Sequence, residues 1–367
     1  MKLTKFFALI AAAATVMIGC EKQPSNDAPV EPPVAGGALL TANNSTVEVN
    51  TPIQFTVTND EGVDITENAV IYNKTLDFTE VENPYIPTID GTYEFYAVAG
   101  ESISPTISVT VVPAIPALPE DPQPASTSFN HRILLVDHTG NTCGYCPKMM
   151  LALKEVSETG DYHSKYYEAM SHSYAATDPA FSAAAAGVSS FFGGLVSGYP
   201  SLTYNFLHSR SSSYNPEDIK AQIDALWKES ADAAVAASVS ISPAGTVVIA
   251  NTVVKAAVAN EYRINAWLLE DGIYAKQTNA TADWMNTHNN SIRQVAVGDP
   301  IMGVDLGSIE AGKSADVTLT LPVLSNSWNK DNFKVMLIVS AKNQNGKFDV
   351  ANVAICPLNE SVTYDYK

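Results

Sequence analysis

The sequence predicts a multidomain protein, α/β plus all-β, in which a mixed α/β region is flanked by two β-sandwiches. Three observations carry that prediction: strand-period runs fill residues 38–113, strand and helix patterns alternate through 129–230, and strand patterns return over 231–367. The chain has 367 residues, more than one hydrophobic core usually serves, which agrees with several units.

The first residues read as a secretory signal over 1–19: Lys2 and Lys5, an apolar run over 6–18, then Gly19 before Cys20. The run falls short of the roughly 20 residues a helix needs to span a bilayer. Met17-Ile18-Gly19-Cys20 resembles a bacterial lipobox, with Met17 where leucine is usual, and the resemblance implies cleavage before Cys20 and its lipidation. Several acyl chains on one cysteine satisfy the two-signal requirement for stable membrane attachment. Residues 20–37 are polar, carry Pro24, Pro29, Pro32 and Pro33, and read as a lipid-anchored tether. The expected location is the cell envelope, as an outer membrane lipoprotein. Glu21-Lys22-Gln23 matches only part of a surface-export signal, so the sequence leaves the periplasmic or cell-surface face open.

The formal charge of −18 comes from scattered acidic residues with no basic block. That excludes phosphate-backbone binding, so no nucleic acid is expected as a partner; it favours solubility without identifying one.

Short runs such as Thr46-Val47-Glu48-Val49, Ile53-Gln54-Phe55-Thr56-Val57 and Tyr93-Glu94-Phe95-Tyr96-Ala97-Val98 predict a small immunoglobulin-like sandwich over 38–113. Pro116, Pro119, Pro122 and Pro124 then predict an extended, semi-rigid linker over 114–128. In the α/β region, Ile133-Leu134-Leu135-Val136 is the continuous apolar run a central strand needs. A helix follows over 148–157, a second strand over 166–170 and a second helix over 179–192. Asn215-Pro216-Glu217-Asp218 supplies an N-cap, a proline at the first helical position and acidic residues in the first turn of a third helix. Ile219, Ile223, Leu226 and Trp227 form its buried stripe. Strands over 235–241, 246–254, 262–269, 315–321, 334–339 and 348–356 predict the closing sandwich.

The chain has four cysteines, of which Cys20 is taken by the lipid. An exported chain so poor in cysteine is not a disulfide-stapled scaffold, which makes the close pair Cys143-Gly144-Tyr145-Cys146 conspicuous. At the start of a helix, exposed amides stabilise negative charge on the first sulfur. Cys143 is therefore the expected nucleophile, the more acidic and more exposed thiol, and Cys146 the thiol that displaces the mixed disulfide. Gly144 and Tyr145, between them, stand where a substrate would dock. No second closely spaced pair exists, so no metal and no other cofactor is expected. His138 is expected to face solvent, His288 and Arg293 to anchor loops, and Cys356 to be a buried, inert thiol.

Asp137 at the strand end, five further residues and then Cys143-Gly144-Tyr145-Cys146, followed by Gly198-Tyr199-Pro200-Ser201-Leu202, resemble the thioredoxin superfamily. The resemblance implies a thioredoxin-like domain over 129–230, in which Asp137 accepts the proton of Cys146. It also implies a cis peptide before Pro200, with Tyr199 and Pro200 forming the edge that contacts substrate. More narrowly, Asp137-His138-Thr139-Gly140, Cys143-Gly144-Tyr145-Cys146-Pro147, Gly198-Tyr199-Pro200, Trp267-Leu268-Leu269-Glu270-Asp271-Gly272, His288-Asn289-Asn290 and Arg293 resemble outer-membrane lipoproteins of Bacteroides-type bacteria, of the Omp-twenty-eight-related type. The implied activity is thiol-disulfide exchange on exported proteins or peptides, with an unidentified redox partner. The competing expectation is a binding or structural lipoprotein in which the same domain is a scaffold and Cys143–Cys146 a static bond.

Overall fold

The computed structural model describes residues 37–211, 213–296 and 301–367. The expected signal peptide, lipidated Cys20 and all but the last residue of the tether lie outside the described residues.

A nine-stranded sheet organises the chain beyond the proline-rich segment. Its strands are β1 (Ile133–Thr139), β2 (Tyr166–His172), β3 (Ser201–Tyr204), β4 (His208–Ser211), β5 (Asn260–Glu270), β6 (Ser291–Val295), β7 (Val304–Ile309), β8 (Phe333–Lys342) and β9 (Phe348–Pro357). Their spatial order is β4-β3-β1-β2-β6-β5-β8-β9, with β7 also paired to β5. β1 and β2 run parallel over seven register pairs, whereas β3 pairs antiparallel with β1. All seven residues of β1 are buried, as a strand covered on both faces requires.

Three helices cover the β1–β2–β3 region. α1 (Cys146–Glu158) has Pro147 in its first turn; α2 (Ala183–Phe192) is capped by Ser182, whose side chain accepts from the Ala185 amide; α3 (Pro216–Leu226) is capped by Asn215. Period-two alternation divides β1 between two cores. Ile133 and Leu135 pack with Met149, Leu153 and Val156 of α1 and with Ile219 and Ile223 of α3. Leu134 and Val136 pack with Val188 and Phe192 of α2, and also with Trp267, Leu269, Met336 and Ile338. That second core is built from residues on both sides of position 230, where the sequence placed a boundary.

The seam is the parallel pairing of β2 with β6. The Met170 amide donates to the Asn290 carbonyl at 2.8 Å there. Arg293 secures it: its Nε lies 2.7 Å from Glu270 Oε2, its Nη1 donates to the Pro179 and Phe181 carbonyls ahead of α2, and both charged side chains are buried. As anticipated, Arg293 anchors a loop, although one belonging to the α/β region.

A four-stranded sheet of Ala233–Ile241, Val247–Ala256, Ser314–Pro322 and Ser361–Val362 faces the β5–β8 part of the large sheet across a core that includes Val235, Val248, Tyr262, Leu268 and Leu337. The C-terminal strands therefore form two packed layers, one of which continues into the α/β region. Near the N-terminus, a six-stranded sheet and the Leu39–Ala42/Phe55–Thr58 pair enclose Leu40, Ile53, Phe55, Phe95 and Val109. The fold as a whole is β-rich, with several sheets. The proline-rich segment is docked on the four-stranded sheet: buried Lys255 donates to Asp121 and to the Pro124 carbonyl, both at 2.9 Å, and Asn251 donates to the Pro116 carbonyl.

Removing one member of a buried ion pair strands the other charge. Arg293→Ala should destabilise the protein by about 3–5 kcal/mol. Denaturant unfolding followed separately by probes in α1 and in β8 should shift by the same amount; a loss confined to one probe would show that the halves are not coupled through this seam.

Candidate functional site

The candidate site lies where β1 hands over to α1. The Cys143 amide donates to the Gly140 carbonyl at 3.1 Å, and Cys146 is the first residue of α1. The two cysteines form a disulfide with their Cα atoms 5.5 Å apart. The Tyr199–Pro200 peptide is cis. Because β3 follows at once and Ser201 pairs with His138, that peptide lies at the sheet end carrying the cysteine loop. The Tyr199 hydroxyl is 3.1 Å from Ser173 Oγ, and its ring packs edge-on to Tyr174. Tyr174 also crowds Gly140, where an added Cβ would come within 2.6 Å of the Tyr174 Cβ. Only glycine fits there.

Asp137 shares the α1 face of β1 with Ile133 and Leu135, by the same alternation. It is 0% exposed, neither carboxylate oxygen has a hydrogen-bond partner, and burial, with a contribution from the charge of Glu168, raises its pKa well above the usual carboxylate range. Glu168, on the same face of β2, is raised to about 7 by burial, opposed in part by Lys334. Sequence reasoning missed Glu168. Its signal was a lone charge inside the apolar strand Tyr166-Tyr167-Glu168-Ala169-Met170.

Cys143 was expected to be exposed, and it is not: it is 2% exposed, and Cys146 is fully buried. A strap from the far side of the seam is tied to the cysteine loop. The Thr278 amide donates to the Asn141 carbonyl at 2.7 Å, Gln277 Nε2 to the Cys143 carbonyl at 3.0 Å, and Asn279 Nδ2 to the Gly144 carbonyl at 3.1 Å. Gly144 lets the strap approach, since an added Cβ would meet Asn279 Nδ2 at 3.0 Å. Tyr145 remains 62% exposed beside a cavity of about 390 Å³ that Gly144, Pro147, Lys148, Leu151 and Asn279 also line.

A second unforeseen element braces the loop from beneath. His172 Nδ1 lies 2.8 Å from Asp178 Oδ2, and that oxygen also accepts from the Asn141 amide at 2.8 Å. Burial works to raise the Asp178 pKa, but the hydrogen bonds from His172, Asn141 and Ala180 outweigh it, and the carboxyl is held below the usual range. His288 packs edge-on against His172 and contacts the Ala275 carbonyl through Nε2.

His138 also departs from expectation. It lies on the α2 face of β1, 0% exposed, with Nδ1 2.8 Å from Ser189 Oγ and Nε2 3.0 Å from Thr203 Oγ1. Burial lowers its pKa to about 3, so it is a neutral core group. Cys356 is buried, and burial pushes its thiol up to about 11. Among the described residues, no group of three His, Cys, Asp or Glu side chains is placed to hold a metal ion, and no helix is long and apolar enough to cross a membrane.

The fold and site define a β-rich protein with a disulfide at a strand-to-helix junction, its loop hydrogen-bonded to a segment from the C-terminal half. The family model of outer membrane protein Omp28 matches residues 193–361. It bears out the expected location, the cell envelope at the outer membrane. HBP35 of Porphyromonas gingivalis is similar in structure, with a TM-score of 0.51 and 17% sequence identity over 66% of this chain and 80% of that one. No curated protein matches the chain.

Two outcomes test this geometry. Converting Gln277 and Asn279 together to alanine removes two strap hydrogen bonds, each worth about 1 kcal/mol, and should accelerate reduction of Cys143–Cys146 by dithiothreitol by roughly tenfold or more. An unchanged rate would mean that the strap does not limit access. A carboxyl whose pKa is raised on folding stabilises the folded state fully below its unfolded pKa and loses that contribution as pH rises through the folded value. Asp137→Asn abolishes this loss, so its stability relative to the parent, measured by urea unfolding, should improve as pH rises above about 4.

Proposed function

We propose that the protein is a membrane-anchored, thioredoxin-like thiol-disulfide oxidoreductase acting on exported proteins or peptides through Cys143 and Cys146. The observation that carries this reading is a disulfide at the N-terminus of α1, with an unpartnered, buried carboxyl on the sheet face that α1 covers. A structural bond has no use for such a carboxyl, which costs stability wherever it ionises. A resolving thiol does, because a buried thiol must give up its proton before it can attack.

In the reduced protein, the Cys143 thiolate attacks a substrate disulfide and forms a mixed disulfide, releasing one substrate thiolate. Cys146 passes its proton to Asp137 and attacks the Cys143 sulfur; the Cys143–substrate bond breaks, and the second substrate sulfur leaves with the electron pair. Run in reverse, the same steps oxidise a substrate dithiol. Gly144, Tyr145, Tyr199 and Pro200 form the docking edge, and the strap must swing away before a polypeptide reaches Cys143. The partners are exported protein thiols or disulfides and a second redox protein, with lipidated Cys20 holding the chain at the membrane.

A second reading, a binding or structural lipoprotein with a static disulfide, is favoured by one observation: the 2% exposure of Cys143. Trapping separates the two. In Cys146→Ala, the mixed disulfide cannot be resolved, so protein adducts on Cys143 should accumulate on non-reducing gels and vanish in the Cys143→Ala/Cys146→Ala double variant. No adducts under any redox condition, together with a reduction potential below about −300 mV, would establish the static bond.

A further inference from the structure

We propose that Glu168 is a proton-relay residue that links Asp137 to solvent through the cavity between α1 and the segment 284–290. The inference rests on the oxidoreductase reading, since a relay matters only if Asp137 takes the proton of Cys146.

The placement comes from strand register. Glu168 pairs with Leu135 and Met170 with Asp137 across the parallel β1–β2 ladder. Asp137 and Glu168 are thus diagonal neighbours on the α1 face, within reach of a glutamate side chain. Asp137 is sealed, whereas Glu168 lines a cavity of about 680 Å³ together with Met150, Leu153, Lys154, Met170 and Trp284. Glu168 Oε1 is buried and unpartnered, as are both Asp137 oxygens and the hydroxyl of Tyr204, on the neighbouring β3. Unpaired polar atoms clustered on one core face call for a role, because each costs stability. The charge of Glu168 acts on Asp137 and raises it further, a like-charge repulsion that disfavours simultaneous ionisation of the two.

Other groups around the pair leave it this role. Lys334 is the cation acting on Glu168. Lys154, at the cavity rim, is engaged by Glu158. Tyr166 and Tyr204 have pKa values raised by burial and stay neutral. His172, further along β2, is bound to Asp178, and His288 packs on His172.

The cycle balances. With the proton on Asp137 and Glu168 ionised, Asp137 passes its proton to Glu168 and takes up that of Cys146, whose thiolate displaces the substrate sulfur from Cys143. Glu168 then releases its proton to water at the cavity, which restores the starting state with Asp137 protonated. One proton leaves for each Cys146 thiol consumed; reduction of the disulfide by a dithiol substrate draws it back.

The test uses the full-length protein with two readouts: the pH profile of the Cys146 step in exchange with a small-molecule disulfide, and infrared titration of the Asp137 carboxyl band, identified by its loss in Asp137→Asn. Glu168→Gln should slow the Cys146 step roughly tenfold, and the Asp137 midpoint should fall because a like charge is gone. Glu168→Asp, which keeps the carboxyl, should retain most of the parent behaviour. Asp137→Asn/Glu168→Gln should be no slower than Asp137→Asn alone. Active parent protein with an unmoved midpoint in Glu168→Gln, or losses that multiply in the double variant, would overturn the relay and leave the oxidoreductase reading intact. A parent protein that never exchanges would overturn the oxidoreductase reading and the relay with it, whatever the infrared titration gives.

Discussion

The pairing of β2 with β6 is the contact on which the rest of the architecture hangs. It is short, a single register pair and the Met170–Asn290 hydrogen bond, yet it converts what would be two sheets into one. Once β6 lies beside β2, its neighbours β5 and β8 bring Trp267, Leu269, Met336 and Ile338 under α2, and the helix gains a core that the α/β strands alone could not supply. The Arg293–Glu270 pair then sits at the junction with both charges desolvated, an arrangement whose worth lies in specificity of docking more than in net stability. The same docking swings the 275–290 segment over the cysteine loop. The strap's hold on the cysteine loop is thus a consequence of sheet topology.

How much of this was legible in the sequence follows from the range of the interactions involved. The Cys143–Cys146 spacing, the apolar β1 run and the Asn215-Pro216 cap are local patterns, and the structure carries a disulfide, a fully buried strand and a capped helix at those places. What sequence patterns cannot reveal is who pairs with whom. A strand buried on both faces looks alike whether its neighbour is thirty or a hundred residues away, so periodicity could not announce that the sheet crosses position 230. The strap escaped for the same reason: it holds the cysteine loop through Gln277 and Asn279, polar residues with no pattern to mark them. His138 was misjudged because a histidine at a strand end gives no sign of its face until Ser189 and Thr203 are placed against it.

Burial of the disulfide and a redox role conflict less than they first suggest. The strap is held by three hydrogen bonds to Asn141, Cys143 and Gly144, each contributing about 1 kcal/mol net. Breaking these three bonds costs a few kcal/mol, the range in which a minor conformation is populated at roughly 0.1–10%. Such a gate lowers the apparent exchange rate by the open fraction and leaves the intrinsic chemistry unchanged.

The extent of the family match bears on where that gate comes from. Residues 193–361 include β3, α3, the C-terminal strands and the whole strap, but stop short of Asp137, Cys143, Cys146 and Glu168. The matched region therefore supplies the strap and one wall of the cavity beside α1, while the sulfur chemistry and both buried carboxyls lie upstream of it. Neither half is a complete site. Without the C-terminal half, the cysteine loop loses its strap and Glu168 faces open water instead of a walled cavity; without the α/β strands, the strap has nothing to hold. A site divided in this way ties access to the disulfide to the integrity of the β2–β6 seam, so whatever loosens the seam should open the gate.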